Sequence, residues 1–412
     1  MVSGQREVLR DPHFRRLVAS RTISNIGNGM APIALAFGIL ELPGATPTSL
    51  SVVLAAQALM AVLLLPLGGV IADRVGRARV ISITDITLSL FIFAEAALFL
   101  TGTATIPLLV VIGLVAGALN ALWWPAYPGL VPDVVSDRNL HPANSLMSLA
   151  SNSGLIVGAT IGGVLVALIG SGWAIAIDGL SFLVAGLLVF SIRHRSTGTT
   201  SGESIVDDLL HGWRVFTSYR WVVVVVAAFS IIVLVWRGAI EVMGPVLAKE
   251  IYGGPAGWAV VTGGESAGLL VGALIASRFR VRRPLVFGML LTLALPFWLT
   301  LLSLEMPLPL IVVGSFAFGI AFEWFGILWF TALQTKVPRD ALSRVSSYDA
   351  FGSLMFGPIG LAVAGPFIGA VGASTAFAVA ATVSLVAILA TLLSRSVRGL
   401  RTSTATAETA SP

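Results

Sequence analysis

The chain has 412 residues, of which 56% are hydrophobic and only 11% charged, with a mean hydropathy of +0.94. A soluble domain carries about 25% charged residues, so a water-soluble enzyme is all but excluded, and intrinsic disorder fails on the same hydrophobicity. The net charge of +5 is dispersed in short clusters between apolar runs, which argues for membrane topology over a nucleic-acid surface.

In chain order, Met1 to Arg16 is polar and Arg-containing, and the apolar run after it is too long for the core of a cleavable signal. That run is expected to stay as the first span. A spanning helix needs about 20 mostly apolar residues. Runs of that kind lie at 17–40, 49–70, 79–100, 106–131, 143–168 and 173–192, then at 221–246, 258–277, 285–303, 308–332, 343–368 and 374–394. The expected architecture is an all-α membrane protein of twelve helices in two six-helix halves, 1–192 and 221–394. Pro125, Pro128 and Pro132 crowd the end of the fourth span. A cytoplasmic linker at 193–220 carries a short interfacial helix from Ser204, with Ile205, Leu209, Trp213 and Phe216 near helical spacing. Residues 395–412 read as a disordered cytoplasmic tail.

Lys and Arg fix the orientation. With the N-terminus inside, all of the 25 fall on inside segments except Lys249, in an outer loop, and Arg237, within a span. Both termini are therefore expected in the cytoplasm. The halves also repeat each other at an offset of 202 to 206 residues: Leu67 to Arg74 aligns with Val271 to Arg278, Val131-Pro132 with Val337-Pro338, and Gly158 and Gly163 with Gly360 and Gly365. Parallel repeats about an axis along the membrane normal are a transporter plan, with the site near midplane between them.

The segment Gly69-Val70-Ile71-Ala72-Asp73-Arg74-Val75-Gly76-Arg77-Ala78-Arg79 joins spans 2 and 3. It resembles the loop 2–3 motif of the major facilitator superfamily, G-x-x-x-D-R-x-G-R-x-R. Phe14-Arg15-Arg16-Leu17, Pro125 to Asn144 and Trp329 to Tyr348 are similar to the superfamily's branch of transmembrane secretion effectors and enterobactin-exporter-like proteins, in an actinobacterial form. The resemblance covers residues 10–395. It implies that Asp73 sits against the positive N-terminus of span 11, as a latch favouring the outward-facing state, with Arg74, Arg77 and Arg79 at the inner leaflet. Span 5 carries Gly154, Gly158, Gly162 and Gly163, resembling the superfamily's antiporter motif except that Ala159 replaces its Pro. A stripe of small residues also serves helix packing alone.

Ionisable residues within spans are costly and mark functional sites by default. They are Arg21, Asp85, Glu95, Asp178, Arg237, Glu241, Glu265, Glu323 and Asp349. Arg21, Asp85 and Asp349 are close enough to the inner face to pair or snorkel there, and the family architecture makes Glu95 and Asp178 helix braces. Glu323, at mid-span between Phe322 and Trp324, suits a carboxyl that takes up and releases a proton in a central cavity. Glu265 is a second proton-coupling candidate. Arg237 and Glu241, one helical turn apart, form either a structural ion pair or a cavity pair that substrate or proton breaks. Asn25, Asn28, Asn120, Trp123 and Trp324 are candidates to line the cavity.

Enzyme motifs fail. Gly264-Glu265-Ser266-Ala267-Gly268 matches G-x-S-x-G but lies within a span, and no His occurs in any expected span. The chain has no Cys, no phosphate-binding loop and no paired-His metal motif, so neither metal nor cofactor is expected. The expected function is proton-coupled export of a drug-like or siderophore-like small molecule by alternating access. The expected partners are the bilayer, the substrate and protons, with no nucleic acid, in a monomer of the bacterial inner membrane. A proton symporter importing a nutrient is the alternative; a transport-inactive sensor or scaffold is disfavoured by the short cytoplasmic loops.

Overall fold

The structure, a computed structural model, describes residues 7–136, 139–192, 213–276, 279 and 281–400. Within these ranges the side chains of Gly69, Asp73 and residues 339–344, among a few others, fall outside the description. Twelve helices are long and apolar enough to cross a membrane. The first half comprises α1 (Pro12–Leu40), α2 (Pro47–Val75), α3 (Arg77–Leu100), α4 (Ile106–Val134), α5 (Leu140–Ile169) and α6 (Ser171–Phe190). In the second half, α7 runs from Arg220–Gly238 through a π turn, Ala239–Met243, into Gly244–Ile251. It is followed by α8 (Pro255–Ala276), α9 (Pro284–Leu291 and Ala294–Ser303), α10 (Leu308–Lys336), α11 (Arg339–Met355 and Gly357–Val371) and α12 (Ala373–Leu393).

Local chemistry sets the ends and breaks. Asp11 caps α1, its carboxylate accepting from the backbone N–H of His13 at 2.7 Å and Phe14 at 3.3 Å, with Pro12 at the first helical position. Thr46 and Ser49 form a reciprocal capping box at the start of α2. α11 breaks where Gly357-Pro358 removes a donor. α4 instead continues through its crowded prolines to Val134, as membrane helices do when neighbours satisfy the freed carbonyls.

The pairing of helices repeats six helices on. In the first half α1 packs on α5, α2 on α4 and α3 on α6; in the second α7 packs on α11, α8 on α10 and α9 on α12. The two turns at offset 202 match as well: single glycines with positive φ, Gly170 (86°) and Gly372 (79°), join α5 to α6 and α11 to α12. The halves meet along two seams, α2 against α11 and α5 against α8.

Two expectations shift. The interfacial helix expected from Ser204 falls outside the described residues up to 212. Residues 213–218 are helical, and Phe216 is buried, its ring 5.7 Å from that of Tyr348, so this end of the linker docks on α11. The segment expected to be a disordered tail begins with a helical turn, Arg395–Arg398, because Val397 is fully buried.

Candidate functional site

One polar cluster inside the bundle is built by α7 and α8 and walled by α10. The Val-rich stretch of α7 ends in Trp236-Arg237-Gly238, and the π turn follows at once, carrying Glu241. Such turns are frequent at functional sites. Arg237 Nε lies 2.7 Å from Glu241 Oε1, and Nη2 donates to Oε2 at 3.2 Å. This pair is a quarter to a third exposed. Trp236 Nε1 donates to Glu265 Oε1 at 3.2 Å, tying α7 to α8. Glu265 is only 8% exposed, and Glu241 is within electrostatic reach of it. Among the described residues no ion pair to Glu265 is recorded, so one indole N–H and a neighbouring carboxylate define its surroundings. The Trp236 ring stacks on Phe322 of α10 at 5.6 Å, which leads through Phe229 and Phe325 into an aromatic wall between α7 and α10.

Glu323 stands elsewhere. It is half-buried beside α8, where a Cβ on Gly272 would come within 3.1 Å of its own Cβ. Gly272 is seven residues from Glu265, roughly 10 Å along the helix. A Cβ on Gly326, one turn further along α10, would meet nothing within 4 Å, so this face is open. Trp324 turns the other way: its ring lies 5.1 Å from Phe287 of α9 and 5.7 Å from Phe279, and its buried indole nitrogen has no recorded hydrogen bond. It is wedged on the side of α10 that faces α9.

The first half holds a second cluster. Arg21 of α1 places its guanidinium 4.8 Å from the centre of the Trp123 ring and 4.5 Å from that of Tyr127, which stack on each other at 4.8 Å. Its Nε donates to Ser151 Oγ of α5 at 2.9 Å, and buried Asp85 of α3 is within electrostatic reach. Trp123 is thus part of a four-helix tie. Asn28 is half-buried and donates to Asn25 Oδ1 at 3.4 Å, whereas Asn25 itself is buried with its Cβ against Gly154 of α5. Asn120 donates to the Ala116 carbonyl of its own helix at 2.9 Å. In the second half Trp329 Nε1 donates to Asp349 Oδ2 at 2.8 Å, so Asp349 is paired with an indole.

At the Arg-rich end, Gly76 alone connects α2 to α3, with φ of 99°, a conformation that strains any side chain. Arg77 approaches Asp133 of α4 at 3.4 Å, and Arg74 and Arg79 are exposed. The Gly69 and Asp73 side-chain positions lie outside the described residues.

The span 5 glycines divide into two groups. Cβ atoms on Gly154, Gly158 and Gly162 would meet Asn25 and Thr22, the Ile26 carbonyl, and Met30, so three of them seat α1 on α5. Gly163 faces the other half, against Ala259 and Pro255 of α8. Its repeat partner Gly365 faces Pro47 and Ser51 of α2, and its N–H donates to Ser51 Oγ at 2.7 Å. Lys249 Nζ donates to the Leu40 carbonyl, joining α7 to α1. All of these contacts between halves lie at the Arg-poor end. Trp236, Tyr127, Ser151 and Ser51 are absent from the sequence-derived candidates. Only Trp236, beside the in-span Arg237, stood next to a recognisable signal.

Comparison with known proteins bears on the family and the fold. The chain is 27% identical over 403 residues to the multidrug efflux pump Tap of Mycolicibacterium fortuitum, covering 94% of this chain and 96% of that protein. It is 25% identical over 365 residues to the enterobactin exporter EntS of Escherichia coli O1:K1 / APEC, covering 85% of each. Among solved structures, the nucleoside transporter NupG superposes with a TM-score of 0.71 at 16% identity, covering 92% of this chain and 98% of that one; at that identity the likeness concerns the fold. The profile of the Major Facilitator Superfamily matches residues 17–348. The chain belongs to the Major Facilitator Superfamily and is a multi-pass membrane transporter of that family, not an enzyme.

Proposed function

We propose that this transporter exports a small, partly apolar organic molecule in exchange for protons, from a bacterial cytoplasmic membrane with both termini in the cytoplasm. The observation that carries the reading is the α7–α8 cluster. Glu265 is buried at mid-span with an indole donor, next to the Arg237–Glu241 pair, which protonation of Glu241 or a bound substrate can open. A charge at that depth is costly, so a carboxyl there is suited to carry a proton through part of a cycle. Glu323, on the open face of α10, is the second carrier in this reading. The full-length similarity to two exporters supports the direction of transport. The contacts at the Arg-poor end support alternating access, caught with the outer side closed.

The test is transport in proteoliposomes with an imposed pH gradient, using a panel of labelled compounds. Glu265→Gln is expected to reduce gradient-driven transport at least tenfold while substrate counterflow persists, because the neutral side chain keeps the fold and loses the proton. Glu323→Gln is expected to act in the same direction. Full gradient dependence in both variants would refute proton coupling at these residues, and accumulation in the opposite direction would favour the importer.

A further inference from the structure

We propose that Lys249 is a latch that holds the outer ends of the two halves together by capping the C-terminus of α1. The proposal rests on the alternating-access reading above, but its test does not require that protons or any particular substrate be involved.

The physical basis is the end of α1. The last carbonyls of a helix lack intrahelical donors and carry the negative end of its dipole. At the end of α1, Glu41 N–H bonds back to Phe37 and Ile39, and Leu42 N–H to Ile39. The Leu40 carbonyl takes its donor from the other half instead, the ammonium of Lys249. Lys249 lies in the last turn of α7 and is the one Lys or Arg that the charge pattern places in an outer loop. Its location is therefore opposite to the rule that governs every cluster at the inner face. The contact sits on the same end of the molecule as the Gly163–Ala259 and Ser51–Gly365 contacts, so all three break together when that end opens.

This arrangement mirrors the expected role of Asp73 with both signs inverted. The resemblance of the loop 2–3 motif implies an acid on the positive start of α11 at the inner side. Lys249 is a base on the negative end of α1 at the outer side, and each joins one half to the other. Release is cheap for a lysine in this position. It is exposed, its stem is flexible, and the carbonyls of its own last turn offer the ammonium an alternative when α1 moves away.

The chain has no Cys, so Thr48→Cys on α2 and Val371→Cys on α11, both exposed at the outer ends, give a clean spin-labelled pair across the seam. Double electron–electron resonance in nanodiscs, at fixed pH and without substrate, reads the ratio of open to closed populations. Lys249→Gln and Lys249→Met are each expected to raise that ratio about fivefold, the scale of one charge at a helix end. Lys249→Arg is expected to stay near the parent. An unchanged ratio in both neutral variants, or an arginine variant that behaves like them, overturns the latch. Loss of proton dependence with the latch effect intact would instead count against the proton-coupled reading alone.

Discussion

α5 and α11 hold equivalent places in the two halves, and both use glycine to bring backbone against backbone. Gly158 seats α5 on the Ile26 carbonyl of α1, and Gly360 seats α11 on the Leu234 carbonyl of α7. Further along each helix the equivalent glycines face the opposite half, and here the two differ. Gly163 meets Ala259 through carbon, whereas Gly365 meets Ser51 through a hydrogen bond to its own N–H. Close approach is thus a property of the repeat, and polar closure belongs to one seam. The same helix therefore carries two kinds of glycine: those packed inside a half, and those between halves, which the proposed alternating access would part.

The largest expected effect tests that division. In Gly158→Val the new side chain meets backbone, which cannot yield as a side-chain tip could. Overpacking of this kind costs about 1–3 kcal/mol, so thermal unfolding in detergent should shift clearly downward, and Gly360→Val should shift it likewise. Unchanged unfolding in either would show that the seat is not tight. Next in size, Gly163→Val is expected to leave unfolding close to the parent yet slow transport about tenfold, by keeping the α5–α8 seam from closing. A variant that unfolds early, like the first pair, would erase the distinction between the two kinds of glycine. The smallest effect is Ser51→Ala. Hydrogen bonds between membrane helices average about 0.6 kcal/mol, so the open population of the outer end, read by the same spin-labelled pair, should rise only two- to threefold. A larger rise than that from the Lys249 variants would make Ser51 the dominant closure.

Two in-span charges, Arg21 and Glu265, also differ in their surroundings. Arg21 is held by two ring faces and Ser151, with Asp85 close by, so this charge is matched by groups of its own half. Glu265 in the second half has an indole and a neighbouring carboxylate. Sequence alone placed Arg21 and Glu265 in spans with comparable logic. It separated them by depth alone; their partners, on helices 29 and 130 residues away, were not readable. Trp324 illustrates the same limit: its position beside Glu323 put it near the cavity, but a 100° step per residue turns neighbours onto different faces, and its ring packs toward α9.

What the sequence determined by itself was whatever depends on the solvent. Lipid demands about 20 apolar residues per crossing and keeps Lys and Arg on one side, so span number and the two-half plan were readable from composition along the chain. The offset of 202 residues between Gly163 and Gly365 was readable too, because duplication leaves its spacing in the chain. Which of these glycines pack within a half and which between halves was decided only by the tertiary structure. So were the partners of Glu265 and Lys249. Those properties depend on short-range contacts between helices, and such contacts are set by the rotation and packing of whole helices rather than by any residue's neighbours in sequence.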